Sequence, residues 1–227
     1  EGASFDARAS TKSGAFAVLS PAGESKRRAG MRAILDELGS IDETTLTDSQ
    51  RISLQLVKIE AGNAYAPATL VDYGSVLGEY GVWFIPYVAS HLTGPHIEIP
   101  AILEDKMAVK SEADADAYLS RLGNYAEVLD DVIEKMRHDR DLGVVPPDFS
   151  IDRAITNIEL GLAVPAAENN LVVSFAQKLA EAGVERADEF VAKATAVVDR
   201  QVYPATRRLA DALAELRLLA SHEAGVG

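Results

Sequence analysis

The sequence contains no cysteine. That absence excludes disulfides, thiolate catalysis and cysteine-ligated zinc, and it leaves the compartment undecided. Aromatic residues are scarce at 6%, with a single tryptophan, Trp83. No apolar run approaches the roughly 20 residues needed to cross a bilayer as a helix, so no membrane span is expected. Basic residues are in deficit: 22 Lys and Arg against 35 Asp and Glu give a formal charge of −13. A surface of that sign repels phosphate, so nucleic acid and anionic membrane are not expected partners. A Gly-rich phosphate loop and a Gly-x-Ser-x-Gly nucleophile elbow are missing as well.

What is present is the composition of a folded protein, with 48% hydrophobic and 25% charged residues in 227. Residues 1–20 are small and polar with little periodicity, which predicts a loosely ordered N-terminal segment. Residues 21–227 are expected to form one helical domain. The chain opens Glu1-Gly2-Ala3 without an initiator Met, as a processed product or an excised piece does, and a removed signal peptide is compatible with that start.

From Ser20 onward the pattern is helical. Ser20-Pro21 reads as an N-cap followed by proline at the first helical position, and Met31, Ile34, Leu35 and Leu38 form a stripe ending at Gly39. A second helix starts at Thr47-Asp48 with Ile52, Leu56 and Ile59 as its stripe, widened by Leu54, Val57 and Ala61. Gly62 and Pro67 are expected to interrupt it, with a further helical piece through Leu70 and Leu77. Ser111 and Asp114 make a capping-box-like start for a helix that Gly123 should stop. Asn124 and Glu127 repeat that grammar, predicting an antiparallel helical hairpin whose second arm ends at Gly143. Pro146-Pro147 forces an extended connection. Ile151, Ala154, Ile155, Ile158 and Leu162 mark another helix, and Leu171, Phe175 and Leu179 one more, closed by Gly183. The last helix, 184–221, is the longest, with Pro204 as its kink. The fold class expected is all-α: a multi-helix array with short hairpins, a long kinked C-terminal helix and one irregular crossover. A short extended pair is expected inside 81–99.

That crossover is Tyr80 to Pro100, where Trp83, Phe84, Tyr87, His91, His96 and three prolines gather. Trp83, Tyr87, His91 and His96 are the candidate cleft-lining side chains, because aromatic residues with a few polar groups line binding sites. The plainer reading, preferred, is that the aromatics plug a helix junction while the histidines bond to backbone. Elsewhere, His222-Glu223 begins a zincin-like motif, but Val226 stands where the second histidine is required. His138 with Asp141 reads as a solvated helix C-terminus. Glu104-Asp105, Asp114/Asp116 and Asp130-Asp131 read as exposed helix faces or first-turn charges. No catalytic or metal-binding residue is assigned in this chain.

Several segments run in a common order: Pro86-Tyr87-Val88, Gly94, Ile99-Pro100, Asp114 to Leu122 (DADAYLSRL), Gly143 to Phe149 (GVVPPDF) and Gln201 to Ala205 (QVYPA). Together they resemble the N-terminal half of the bacterial family called domain of unknown function 885, regarded as related to gluzincin-type zinc metallopeptidases. The resemblance covers roughly residues 30–227. It implies an α-helical, cleft-containing fold whose zinc-binding His-Glu-x-x-His lies further towards the C-terminus. On that reading this chain lacks the metal ligands and the general base and is inactive alone. Zinc belongs to the missing half, and the partners are that catalytic half and a peptide substrate. A homodimer is a further expected partner, and the alternative is a stand-alone helical interaction module with no enzymatic role.

Overall fold

The computed structural model describes residues 16–77 and 83–223. Among these the chain is all-α apart from one two-stranded ribbon, in agreement with the expected fold class. In order, the elements are α1 (Pro21–Ser40), α2 (Asp48–Leu70), β1 (Ser75–Leu77), β2 (Trp83–Ile85), α3 (Pro95–Ala101), α4 (Glu112–Asp141), α5 (Asp148–Leu162), α6 (Asn170–Ala182), α7 (Ala187–Val197) and α8 (Tyr203–Arg217). The extended pair exists, but it starts earlier than predicted: Ser75, Val76 and Leu77 pair antiparallel with Ile85, Phe84 and Trp83. Leu77 is therefore in a strand, where helix was expected.

The body of the molecule is built on α4. Its 30 residues run unbroken through Gly123-Asn124, so the predicted hairpin is not formed. The buried stripe explains why. Ala115, Tyr118, Leu122, Tyr125, Leu129, Val132 and Met136 continue at helical spacing across the glycine, and the burial of that stripe outweighs the ~1 kcal/mol propensity cost of one glycine. Asn124 does not cap a new helix. Its carbonyl oxygen instead accepts from the Phe16 amide at 2.6 Å, and its NH2 donates to Glu127.

Helices α7 and α8 run parallel to α4, held at a seven-residue interval. Gly123 faces Gln201, Asp130 pairs with Arg208, and Arg137 lies against Glu215. Between α7 and α8 sits a π-helical turn, Val198–Val202, in which the Tyr203 amide bonds five residues back to Val198. The cause is Pro204, which has no N–H to offer the carbonyl of Arg200, so one widened turn absorbs the defect. Helix α5 packs antiparallel on α8, with Arg217 bonded to Asp152 at one end and Tyr203 to Val164 at the other.

The N-terminal segment predicted over 1–20 is described only from Phe16 onward. Residues 1–15 lie outside the described residues, whereas Phe16, Ala17 and Leu19 are buried in the main core. The Leu19 amide donates to Asp131 at 2.9 Å, tying this strip to α4.

Helices α1 and α2 with the ribbon form a separate layer. Helix α2 begins as predicted, with Thr47 and Gln50 in a reciprocal capping box, but it continues through Gly62 and Pro67 to Leu70. Pro67 lies in the last turn and the carbonyl it frees belongs to exposed Asn63, open to water. The stripe named from the sequence, Ile52, Leu56 and Ile59, points to solvent at 64%, 59% and 55% exposure. At 100° per residue those three lie about 180° around the helix from Leu54, Ala61, Tyr65 and Ala68, which face inward. A small cluster of Met31, Ala68 and Val76, flanked by Tyr65 and Phe84, is the apolar centre of this layer.

Charge does the rest. Arg28, 6% exposed, donates to the carbonyls of Ala68, Val71, Tyr73 and Gly74 and pairs with Glu24. From α4, buried Asp139 accepts the Gly74 amide at 3.0 Å and pairs with Lys135, whose ammonium also reaches the Asp72 carbonyl.

Candidate functional site

The crossover from Pro86 to Gly94 is a tight knot of side-chain-to-backbone bonds. The Ser90 hydroxyl accepts from the amides of Leu92 and Thr93, and the Ser90 amide donates to the Thr93 carbonyl. Gly94 closes the knot at φ +120°, where any Cβ would stand 2.8 Å from the Val88 carbonyl, so glycine is required there. Its own carbonyl accepts from Ile97 and Glu98, and α3 starts with Pro95 in its first turn.

The four candidate side chains part company on this scaffold. Trp83 sits in β2, and its side chain lies outside the described residues. Tyr87 is half-buried, its carbonyl accepting from the Thr93 hydroxyl. His91 turns towards α5: its Nδ1 is 2.9 Å from Ser150 Oγ and its ring meets Phe149 edge-on. Phe149 in turn touches His222, whose Nδ1 lies 2.9 Å from Asp148, so the end of α8 is folded back on the start of α5.

His96 faces the opposite way. Its Nε2 is 3.0 Å from the Ser90 carbonyl, and because a carbonyl can only accept, the proton resides on Nε2. Burial drives its pKa down to about 4, only partly opposed by that bond, so the ring is neutral near pH 7. His96 forms part of the wall of a hollow of about 360 Å³ between α3, α5, α8 and the start of α6. The floor is apolar, made by Tyr125, Ile158, Leu171 and Val202. Tyr203 stands at the side with its hydroxyl donating to the Val164 carbonyl at 2.6 Å and accepting from Asn169.

Glu104 also borders the hollow. It stands in a π-helical turn, Ile102–Lys106, that continues α3 and ends when the Met107 amide bonds back to Ile102. Expected from the sequence as part of an exposed acidic pair, Glu104 is half-buried while its neighbour Asp105 is exposed. Burial, and then the Asp105 carboxylate, push its carboxyl above the usual carboxylate range, with Lys178 pulling the other way. Glu104 and Tyr203 were not singled out as site residues from the sequence, although Tyr203 belongs to the QVYPA segment. Neither carries a local spacing signal, since the hollow joins four separate elements.

Such an arrangement can bind through shape, hydrogen bonds and negative charge. Among the described residues, no three His, Asp or Glu side chains converge as a metal ion would require. His138, read as a solvated helix end, lies with Nδ1 3.0 Å from Asp139 at the end of the α4 network.

Comparison with known proteins places the fold. A crystal structure described as "putative lipoprotein from Colwellia psychrerythraea" superposes with a TM-score of 0.78 at 23% sequence identity. The match covers 91% of this chain and 35% of that one, so the present chain spans about a third of its structural relative. Among curated proteins no match was found. The family described as bacterial protein of unknown function (DUF885) matches residues 5–227, and to that family the chain belongs.

Proposed function

We propose that this chain is the non-catalytic N-terminal helical part of a longer, exported, zinc-dependent peptidase-like hydrolase, in which it forms one wall of the substrate cleft. The observation that carries the reading is the asymmetry of the structural match: nearly all of this chain corresponds to about a third of a longer protein. The lipoprotein description of that relative supports an envelope location, and the helices here contain no segment long and apolar enough to cross a membrane among the described residues. Zinc and the water it activates are assigned to the remainder of the polypeptide, where the family resemblance puts them. The wall contributed here is the side bearing His96 and Tyr203, with Trp83, Tyr87 and His91 on the adjoining crossover.

The test is to compare zinc content and peptide hydrolysis for the 227-residue chain and for the same chain extended by its own downstream coding sequence. Zinc and hydrolysis are expected only in the extended protein. Stoichiometric zinc with hydrolysis in the 227-residue chain alone, or no hydrolysis in either, would overturn the reading.

A second reading, an interaction module without enzymatic role, is favoured by one observation: α2 turns Ile52, Leu56 and Ile59 to solvent. A stop codon directly after Gly227, together with a partner captured on that face, would replace the first reading with this one.

A further inference from the structure

The π-helical turn Ile102–Lys106 separates two hollows of unlike character. On one side, Lys106, Lys110 and Lys178 border a groove together with Asp105 and Glu181. On the other lies the hollow already described, lined by the carboxylates Glu104 and Glu168, the neutral His96 and the phenols Tyr125 and Tyr203, with no Lys or Arg in its wall. Lys178 donates to the Leu103 carbonyl at 2.7 Å and belongs to the first groove. The rest of the hollow combines an apolar floor with side-chain amides: Asn157 and Asn170 border it without a hydrogen-bond partner among the described residues, while Asn169 is spent on Tyr203 and on the Leu171 amide.

We infer that this hollow is a binding site for a primary ammonium group carried on a short apolar body, with Glu104 as the main counter-charge, Glu168 at the rim and the Ile158–Leu171–Val202 floor taking the apolar part. Shape, charge and polarity agree on that class. About 360 Å³ lies within the range of small-ligand sites, at its small end. An anion would meet two carboxylates and no cation in the wall, and a neutral apolar ligand would leave the half-buried Glu104 with only Lys178, across the turn and outside the hollow, to offset its charge. A cation supplies what the wall lacks, because a partly desolvated carboxylate gains most from an opposite charge within hydrogen-bond reach. The proposal is separate from the hydrolase reading: it concerns binding by this chain alone and survives if the longer protein hydrolyses nothing. A peptide amino terminus and a free alkylamine share the required chemistry.

Calorimetric titration of the 227-residue chain with leucinamide and with hexylamine, against N-acetyl-leucinamide and hexanol, tests it. At least one amine should bind, with its uncharged counterpart weaker by about tenfold or more, a difference of about 1.4 kcal/mol. Tighter leucinamide would identify the peptide-terminus form of the ligand, and tighter hexylamine the free-amine form. Glu104→Gln should weaken the amine by a similar factor. Gly161→Leu locates the site without relying on a charge change: Gly161 lines the hollow in α5 and an added Cβ there meets nothing within 4 Å, so the variant should fold and occlude the ligand. If neither amine binds, if the uncharged analogues bind equally well, or if a folded Gly161→Leu binds amine as tightly as the parent, the inference is wrong.

Discussion

The α1–α2–ribbon layer and the α4–α8 body are held together by different forces. In the body, α4 buries a continuous stripe against α7 and α8, and Tyr118 stacks on Phe175 at 4.1 Å with its hydroxyl bonded to the Leu171 carbonyl. The outer layer has three buried apolar residues in its own cluster and is held instead by charge: its own Glu24 and Arg28, with Lys135 and Asp139 reaching it from α4, are all under 7% exposed. Apolar packing is non-directional and tolerates small losses in proportion to area. A buried charge network fixes one geometry, and removing a single member leaves the others desolvated and unpaired. The layer should therefore be the more brittle of the two.

The largest expected effect tests that directly. Arg28→Ala strands four backbone carbonyls and leaves Glu24 with only Arg27 and Ser75, and should cost about 3–5 kcal/mol, the scale for breaking a buried pair. Hydrogen exchange should show α1, α2 and the ribbon opening while α4 to α8 keep their protection. Loss of protection throughout in one transition would show that the two regions are a single cooperative unit. Next comes Leu129→Ala in the centre of α4, fully buried in the main core. It should cost about 2–5 kcal/mol in urea unfolding, with both regions lost together.

The difference between the regions also explains what could be read in advance. Helices in the body announced themselves because one face repeats at 3.6 residues: Ile151–Ala154–Ile158 in α5 and Leu171–Phe175–Leu179 in α6 are among the buried residues of their elements. Where local grammar competed with that stripe, the stripe won, and Gly123-Asn124 passed through α4 as ordinary helix. In the outer layer the apolar pattern was ambiguous, because α2 carries two stripes on opposite sides and nothing local distinguishes the packed one. Arg28, Lys135 and Asp139 act through residues about 40 to 65 positions away, so their roles have no signature in the sequence. The candidate site was legible in part. His96 borders the hollow, but His91 belongs to a separate contact with Ser150 and Phe149, and Glu104, Tyr203 and Asn157 come together only through the packing of distant helices.

The third effect lies at the seam between crossover and body. His96 is held well below its unfolded value of about 6.5, at about 4. A depressed histidine means that the unfolded chain binds the proton more readily, so its contribution is complete above pH 6.5 and is lost as pH falls towards 4. That loss is as much as about 3 kcal/mol, from the 1.36 kcal/mol that accompanies each pKa unit. His96→Gln, which retains a donor for the Ser90 carbonyl, should flatten the stability–pH curve between 6.5 and 4. An unchanged slope would show that His96 is not the group responsible.

The smallest expected effect bears most on function. Replacing Ile52, Leu56 and Ile59 singly by Gln should change stability by no more than about 0.5 kcal/mol each, because solvent-exposed positions away from special contacts lose little on substitution. Leu54→Ala, 8% exposed on the opposite side of the same helix, should cost about 2–5 kcal/mol. If all three changes are silent, the stripe is free for a partner to cover, as the interaction-module reading requires. If the three Gln variants instead destabilise the chain as strongly as Leu54→Ala, the stripe is packed within the fold itself. The interaction-module reading would then lose the one observation that favours it.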